Sequence, residues 1–224
     1  MTGYYAEKLS AERLRRCYDV ASPRVLKYLE AEIRHALSRL RGADTVLELG
    51  CGYGRVAFRL AEAASRVVGI DTAEESIALA RRLAPASRRC EFLVMDAYRT
   101  SFDDGAFDAV VCVQNGICAF GGDPVTLLQE ALRVSRRGGR LVFSTYADAF
   151  WDDRLAWFEA QAAEGVVGPV DRAASRDGFI VCTDGFRSGR ITPDGLHDLC
   201  RRVGVEGGVT EVDGSSVFLE ISKP

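Results

Sequence analysis

A glutamate and three glycines stand at alternate positions early in the chain, in the segment E-L-G-C-G-Y-G from Glu48 to Gly54. Glycine has no Cβ, so the backbone can turn tightly there and a ligand can approach its amide groups closely. Asp71, Asp96 and the amide Gln114 follow later, each at the end of an apolar run. Carboxylates accept hydrogen bonds from hydroxyls and amines, and an amide both donates and accepts them. These residue types in this order indicate a site for a polar small ligand.

The spacing of the glycines distinguishes two classes of ligand. Dinucleotide sites carry G-x-G-x-x-G, whose third glycine lets the helix pack closely on the strand near the pyrophosphate. Here Arg55 occupies that third position. Glu48 would repel a phosphate at close range, whereas it would attract an ammonium or sulfonium group. The segment therefore favours S-adenosylmethionine (SAM) over a nicotinamide dinucleotide.

The glycines lie between a predicted strand and a predicted helix. Residues 45–49 form a short β-rich run, and apolar residues recur at helical spacing between Val56 and Ala64. The N-terminus of a helix leaves backbone N–H groups free for a ligand. The segment therefore predicts a strand, a glycine loop and a helix in direct succession.

Asp71 is the last residue of the next predicted strand, residues 66–71. An acid at the carboxyl end of such a strand can accept two hydrogen bonds from the vicinal hydroxyls of a ribose. Asp71 can instead cap the helix that follows. Thr72 and Glu75, however, predict a capping box for that helix, which leaves Asp71 available for a ribose.

The rest of the chain alternates between predicted strands and helices. Further strands are predicted at 91–95, 107–113 and 141–146, and a helix at 124–136 precedes a sharp turn at 137–140. A last helix begins at Thr192, and residues 209–212 and 217–221 flank the turn Asp213-Gly214 as a hairpin. Two helices are predicted before the first strand, after Ser10 and after Ser22. This alternation is typical of an α/β protein with a parallel sheet.

The chain resembles the class I, Rossmann-like family of SAM-dependent methyltransferases. Four landmarks carry the resemblance: the segment from Glu48 to Gly54, Asp71, the pair Asp96-Ala97, and the strand at 107–113. The resemblance covers roughly residues 22–146 well and the last thirty or so residues in outline. It implies a doubly wound, mostly parallel seven-stranded sheet with helices on both faces and an antiparallel C-terminal strand.

The resemblance also implies how the chain is organised. Residues 1–224 are expected to form a single domain. Residues 1–41 are expected to supply N-terminal helices that act as a lid over cofactor and substrate, although a frayed end is the alternative for the first nine residues. Residues 147–190 are expected to form an insertion on the substrate side.

Candidate site residues follow from the resemblance and from the spacing. Asp96 and Ala97 are implied as the clamp on adenine. The expected cofactor-binding residues are Glu48, Gly50, Cys51, Gly52, Gly54, Asp71, Thr72, Asp96, Ala97 and Gln114. The catalytic candidates are Asn115, Gln114 and Tyr18, and the substrate-binding candidates are Tyr4, Tyr5, Tyr146, Trp151 and Arg187. The alternative for the two amides is that they cap a turn, and for the aromatic residues that they pack in a core.

Composition narrows the class of protein. The 224 residues are 47% hydrophobic and 27% charged with a net charge of -3, which is normal for a soluble globular protein and offers no general attraction to nucleic acid. No apolar run is long enough to span a membrane, and no signal peptide is evident. We therefore expect a cytoplasmic protein with a small-molecule substrate.

Seven scattered cysteines lack the close pairs of a structural zinc site. We expect reduced thiols and no metal. Cys17 and Cys118 are the candidates for a reactive thiol near the substrate, because both are expected near the cleft.

The implied reaction is in-line transfer of a methyl group from SAM to a small-molecule nitrogen, oxygen or sulfur. Neither histidine, His35 or His197, is expected in the cleft, which favours an acceptor that needs little deprotonation. The Asn-Pro-Pro-Tyr motif of amide and nucleic-acid methylation is absent. The alternatives are an NAD(P)-dependent oxidoreductase and a non-catalytic SAM-binding module. The oligomeric state stays open.

Overall fold

The computed structural model describes residues 4–42, 44–84 and 89–224. Residues 1–3, which begin the predicted lid and the expected single domain, lie outside the described residues. Within the described part, seven strands form one sheet. Their bounds are β1 Thr45–Leu49, β2 Arg66–Asp71, β3 Cys90–Val94, β4 Phe107–Cys112, β5 Ser135–Tyr146, β8 Gly208–Val212 and β9 Ser216–Ser222. Their order across the sheet is β3-β2-β1-β4-β5-β9-β8.

Only β9 runs against its neighbours. It pairs antiparallel with β5 and with β8, whereas β1 to β5 pair in parallel. The predicted fold class and the C-terminal hairpin are therefore confirmed. Because β1, β2 and β4 are in parallel register, their carboxyl ends meet at one edge of the sheet, as the pairing of Glu48 with Gly69 and Val111 shows. That edge is where the residues that follow these strands come together.

Helices cover both faces of the sheet, as expected for a doubly wound fold. One face packs against the helix before β1 and the helices after β1 and β2. The other face packs against the helices that follow β4 and the helix that follows the insertion. The bounds are α1 Tyr4–Lys8, α2 Ala11–Asp19, α3 Pro23–Ser38, α4 Arg55–Leu60, α5 Glu74–Leu83, α6 Gly116–Ala119, α7 Pro124–Val134, α8 Trp151–Ala163 and α9 Pro193–Val203, with a 3-10 turn at Asp148–Phe150.

The N-terminal segment contains one helix more than predicted. Helix α1 forms because Tyr4 and Tyr5 pack edge-on against Phe186, with ring centroids 5.1 and 5.9 Å apart. Sequence periodicity misses this helix because its partner lies far along the chain. Ser10 precedes α2 but makes no side-chain cap, and the Oγ of Ser76 accepts the Ala11 N–H instead.

The predicted turn at 137–140 lies inside a strand that begins earlier than predicted. Helix α7 ends at Val134, and β5 begins at Ser135. Ser135 pairs with Phe107 and Arg140 with Ala109, so residues 136–139 bulge out of the pairing with β4, and Gly138 has φ of 67°. The N–H of Gly138 donates to the carbonyl of Lys223, just after β9. Strand β3 spans 90–94, one residue earlier than predicted.

The insertion at 147–190 contains α8 and a two-stranded hairpin, β6 Ile180–Val181 with β7 Arg187–Ser188. It packs against α1 and α2 in a cluster that includes Phe158, Ile180 and Phe186. No helix among the described residues has the length and hydropathy to cross a membrane.

Candidate functional site

A cavity of about 220 Å³ opens at the carboxyl ends of β1, β2, β3 and β4. Its wall brings together most of the residues singled out from the sequence: Glu48, Gly50, Cys51, Gly52, Asp71, Thr72, Asp96, Ala97, Gln114, Tyr5, Tyr18 and Tyr146. Six other candidates are not in this wall, namely Gly54, Asn115, Tyr4, Trp151, Arg187 and the thiol candidate Cys118.

The glycine loop adopts the conformation that only glycine tolerates well. Gly50, Gly52 and Gly54 have φ of 72°, 53° and 88°. A Cβ on Gly50 would lie 2.4 Å from the Phe120 ring. Gly54 is different, because a Cβ there would meet the rings of Phe58 and Phe92 behind the loop. Gly54 therefore serves helix packing, whereas Gly50 and Gly52 expose backbone to the cavity.

Glu48 projects a carboxylate into this cavity. Its residue surface is only 4% exposed, and its Oε2 is buried without a hydrogen-bond partner among the described residues. Burial raises the pKa of Glu48 to about 8, the Arg55 guanidinium opposes this rise, and Asp71 adds to it. An unpartnered buried carboxylate is costly unless a ligand satisfies it.

Arg55 is a cavity residue that sequence reasoning treated only as a departure from a glycine motif. Its guanidinium carbon lies 4.3 Å from the centre of the Tyr18 ring. Its Nε and Nη2 are buried and have no hydrogen-bond partner within the described ranges. The signal in the sequence was the charge itself, a cation at the first position of a ligand-facing helix.

Asp71 joins two parts of the site. Its Oδ2 accepts the Gly52 N–H and its Oδ1 accepts the Ala73 N–H, both at 2.9 Å. The predicted capping box is wrong: α5 begins at Glu74, its N-cap is Ala73, and no side chain caps it. The carboxylate of Asp71 therefore has a structural role, yet each oxygen retains a second lone pair for a ligand. Burial raises the pKa of Asp71, and the backbone bonds oppose that rise.

Asp96 and Ala97 follow β3 at the next position along the edge. Asp96 is exposed, and its Oδ1 accepts the Tyr98 N–H at 2.9 Å, which fixes the turn. Met95 and Tyr98 also contribute to the cavity wall, whereas Phe102 does not.

The two amides after β4 have different surroundings. Gln114 has φ of 57°, and its N–H donates to Glu32 Oε2 at 2.7 Å and to Ser144 Oγ at 2.9 Å. Its side-chain Oε1 accepts the Tyr18 hydroxyl at 3.3 Å, and its Nε2 has no partner in the described part of the chain. Gln114 thus offers a free N–H group to the cavity.

Asn115 is used internally. It is 2% exposed, its Nδ2 donates to the Gly189 carbonyl at 3.0 Å, and its Oδ1 accepts the Thr145 hydroxyl at 2.9 Å. These bonds tie the end of β4 to the insertion, so the structure does not place this catalytic candidate at the cavity.

Helices α1 and α2 roof the cavity. The Tyr4 hydroxyl bonds to Asp184, and the Arg13 guanidinium donates to the carbonyls of Gly165 and Val166. Tyr4 is outside the wall because its hydroxyl is turned to the insertion. Trp151 packs in the cluster between the roof and the insertion, and Arg187 is exposed on β7.

One stripe of α8 forms the far side of the cavity. Trp157, Phe158 and Gln161 line it, and with Arg154 they are the buried residues of this helix. Their spacing of three and four residues is the signature of one helix face. The sequence analysis did not single out this stripe, and only the packing of α8 against α2 and α3 turns it toward the cavity.

The thiols are unpaired, and burial raises their pKa values. Cys17 lines the cavity, and burial raises its pKa to about 12, so it is a protonated thiol at neutral pH. Cys118 is outside the wall, and its pKa is also raised by burial. No group of three histidine, cysteine, aspartate or glutamate side chains suited to a metal occurs among the described residues.

Residues 46–139 match the family model of a methyltransferase domain. A demethylmenaquinone methyltransferase from Mycolicibacterium gilvum is 31% identical over 180 residues, which cover 78% of this chain and 72% of that protein. The chain belongs to the class I SAM-dependent methyltransferase family. Its relative in Synechocystis, a 2-methyl-6-phytyl-1,4-hydroquinone methyltransferase, is 35% identical over 127 residues, 54% of this chain and 39% of that protein.

Solved structures of this methyltransferase family share the fold. Magnesium protoporphyrin IX methyltransferase from Synechocystis, determined with SAH bound, superposes with a TM-score of 0.65 at 16% identity, over 99% of this chain and 97% of that one. A possible histamine N-methyltransferase from Thermotoga maritima gives 0.63 at 21% identity, over 95% of both chains. The match spans less than half the length of three curated relatives, namely 48%, 32% and 39% of those proteins.

The cavity fits SAM, the cofactor of the family. SAM carries an adenosine, a sulfonium and an α-amino acid end with both an ammonium and a carboxylate. The cavity presents an unpartnered carboxylate in Glu48, an unpartnered guanidinium edge in Arg55, and the carboxylates Asp71 and Asp96 on neighbouring strand ends. These donors and acceptors complement the polar groups of such a molecule.

Proposed function

We propose that this chain transfers the methyl group of SAM to a nitrogen, oxygen or sulfur atom of a small molecule. The observation that carries the proposal is the unpartnered buried oxygen of Glu48, in one cavity with Asp71 and Asp96. A pyrophosphate would be repelled by these carboxylates, whereas a cationic amino acid end and a ribose complement them.

We assign the cofactor contacts as follows. Glu48 binds the ammonium group, Asp71 the ribose hydroxyls with Thr72 beside it, and Asp96 with the Ala97 N–H the adenine. Gly50, Cys51 and Gly52 present backbone to the methionine portion, and Gln114 closes the site. Arg55 binds the carboxylate of SAM. Its Nε and Nη2 have no partner in the described part of the structure and can donate to the two oxygens of that carboxylate. Gly54 is assigned to packing.

SAM supplies a methyl carbon already activated by positive sulfur. The chain's own residues therefore mainly bind, align and exclude water. Gln114 and Tyr18, joined by a hydrogen bond, orient the acceptor, and Tyr146 and Tyr5 bind it. Asn115 positions Gln114 from behind and does not touch the substrate.

A small-molecule acceptor is favoured by the enclosure of the cavity under α1 and α2 and by its aromatic wall. Similar proteins named for demethylmenaquinone and for a phytyl hydroquinone support this size class. The seven free cysteines fit a reducing compartment, so we propose a cytoplasmic location. We also propose that residues 1–224 act as one domain.

Calorimetric titration tests the proposal. We expect binding of SAM and SAH and none of NAD or NADP. A methyl-labelled SAM assay over phenols, amines, thiols and carboxylic acids is then expected to label at least one class. Binding of NAD without SAM would indicate an oxidoreductase, and SAM binding without any methyl transfer a non-catalytic module.

A further inference from the structure

Arg154 is a buried cation without an acidic partner. It lies on α8 and is 1% exposed. Its Nη1 donates to the Gly178 carbonyl at 2.9 Å, and its Nη2 donates to the carbonyl and the Oγ of Ser188 at 2.5 and 2.9 Å. None of the ion pairs formed by the described residues includes Arg154. Its guanidinium group therefore donates hydrogen bonds only to neutral oxygens.

Such an arrangement is costly, because a buried charge normally requires a counterion. One compensation is the ring of Tyr146, whose centre lies 4.0 Å from the guanidinium carbon of Arg154 and presents its electron-rich face. The Nε of Arg154 remains without a hydrogen bond. The side chain therefore keeps a positive potential directly behind Tyr146.

Tyr146 separates this charge from the cavity. Its ring belongs to the cavity wall, where Tyr5, Tyr18 and Tyr28 are its neighbours. We call these four residues the tyrosine compartment. They come from β5, α1, α2 and α3 respectively, and their phenol groups are close enough to interact electrostatically with one another.

The charged and titratable groups around the compartment are few. Tyr5, Tyr28, Tyr146 and Cys118 surround Arg154. Glu32 faces Tyr28 and Tyr146 from α3, but burial raises its pKa to about 7 and its Oε2 is already bonded to the Gln114 N–H. Arg55 and Glu48 face Tyr18, and Cys17 faces Tyr5 and Tyr18. Burial raises the pKa of Glu48 to about 8 and that of Cys17 to about 12, so burial weakens the negative charge of both acids while Arg154 and Arg55 supply two cations.

We infer that the tyrosine compartment takes a planar aromatic acceptor with an acidic hydroxyl and binds it as the phenolate, stabilised by the buried charge of Arg154 acting through Tyr146. This inference rests on the proposed function and names its substrate class. Aromatic walls suit a planar ring, and donors that point at a buried oxygen favour its anionic form.

The chemistry then balances without a basic side chain. The phenol proton passes to solvent when the acceptor binds. The phenolate oxygen forms a bond to the methyl carbon as the carbon–sulfur bond breaks, and the electron pair of that bond returns to sulfur. The products are an aryl methyl ether and a neutral thioether. No histidine belongs to the described wall, which agrees with such a route.

The test uses 4-nitrophenol, whose phenol and phenolate forms absorb at different wavelengths, and the protein saturated with SAH so that no transfer occurs. Absorbance titrations across pH are expected to show an apparent pKa of the bound nitrophenol lowered by about one, a tenfold preference for the anion. Arg154→Met is expected to abolish this preference, Arg154→Lys to restore part of it, and Tyr146→Phe to reduce it.

Controls separate a structural effect from an electrostatic one. Arg172→Met removes an arginine of the same insertion whose side chain is 71% exposed and pairs with Glu159, and the preference is expected to persist. 4-Nitroaniline, which has the same shape and no acidic hydroxyl, is expected to bind wild type and Arg154→Met alike. If Arg154→Met does not fold, Arg154→Lys and Tyr146→Phe decide the question.

Several outcomes would overturn the inference. They are failure of nitrophenol to bind, an unshifted pKa in wild type, an equal loss of nitroaniline binding in Arg154→Met, or selective binding of 4-nitrobenzoate in place of nitrophenol. Calorimetry with SAH on the same samples distinguishes these results from failure of the proposed function, since wild type that does not bind SAH contradicts the function itself.

Discussion

Glu48 and Arg55 place an acid and a cation in one cavity, yet no salt bridge joins them and both retain unpartnered buried atoms. Gly54 and the turn before it separate the end of β1 from the start of α4, and this keeps the two side chains apart. A pair of opposite charges held apart complements the zwitterionic end of an amino acid. We therefore expect Arg55 to bind the carboxylate of SAM.

Arg55→Gln is expected to weaken SAH binding about tenfold or more, because a charge-assisted hydrogen bond is lost. It should leave 5′-methylthioadenosine, which lacks the amino acid end, almost unaffected. Calorimetric titration measures both affinities. Arg59→Gln, one turn further on α4 where the side chain pairs with Glu30, is the matched control. An equal loss for both ligands would assign Arg55 a structural role only.

At the scale of elements, helix α1 in the roof of the cavity is held in place by contacts to the insertion. Helix α1 is a single short element of five residues, too short to be stable by itself. Its contacts to the insertion are the Tyr4 hydroxyl to Asp184, the Lys8 ammonium to the Asp184 carbonyl, and the tyrosine packing on Phe186. Access to the cavity is therefore expected to depend on local opening of α1.

Tyr4→Phe removes one hydrogen bond and keeps the ring. We expect local opening of α1 to become easier by about 1 kcal/mol, which corresponds to roughly fivefold faster amide hydrogen exchange in residues 4–9. The control is Tyr98→Phe. The Tyr98 hydroxyl accepts the Gly122 N–H elsewhere on the rim, and its loss should not change exchange in α1. Unaltered exchange in Tyr4→Phe would mean that aromatic packing alone holds the helix.

At the scale of the whole molecule, two buried acids couple folding to pH. Burial raises the pKa of Glu32 to about 7 and that of Glu48 to about 8, well above the ordinary value of a glutamate. Between these values and about pH 4.5 the folded protein holds protons that the unfolded chain has released. The stability from these groups is therefore complete at low pH and is lost as pH rises toward 8.

Thermal unfolding of the ligand-free protein checks this expectation. The Tm of wild type is expected to fall between pH 5 and pH 7.5, and Glu32→Gln should show a smaller fall because one of the two linked protons is gone. Glu206→Gln, at an exposed position, should follow wild type. A wild-type Tm that rises over this range would contradict the assignment, as would identical profiles for wild type and Glu32→Gln.

Local patterns in the sequence predicted the residues at the sheet edge well and those elsewhere less well. The alternation of glycines predicted the loop, and the acids after β2 and β3 were placed in one cavity, because parallel strands in register must end together. The capping box at Thr72 is wrong because α5 begins at Glu74, which makes Ala73 the N-cap, and the Ala73 N–H donates to Asp71. Asn115 was misplaced because its partners, Thr145 and Gly189, come from distant segments.

The sequence by itself determined the fold class, the family and the ligand-facing loop, since these depend on periodicity and on spacing within a few residues. Only the tertiary structure decided which side chains of the enclosing segments meet at the cavity. Tyr28 and Tyr146 lie in its wall with Arg154 behind Tyr146, because α3, β5 and α8 pack together, and contacts between distant segments leave no local pattern. The same packing buries a cation without an acid, a feature that no single segment of the chain reveals.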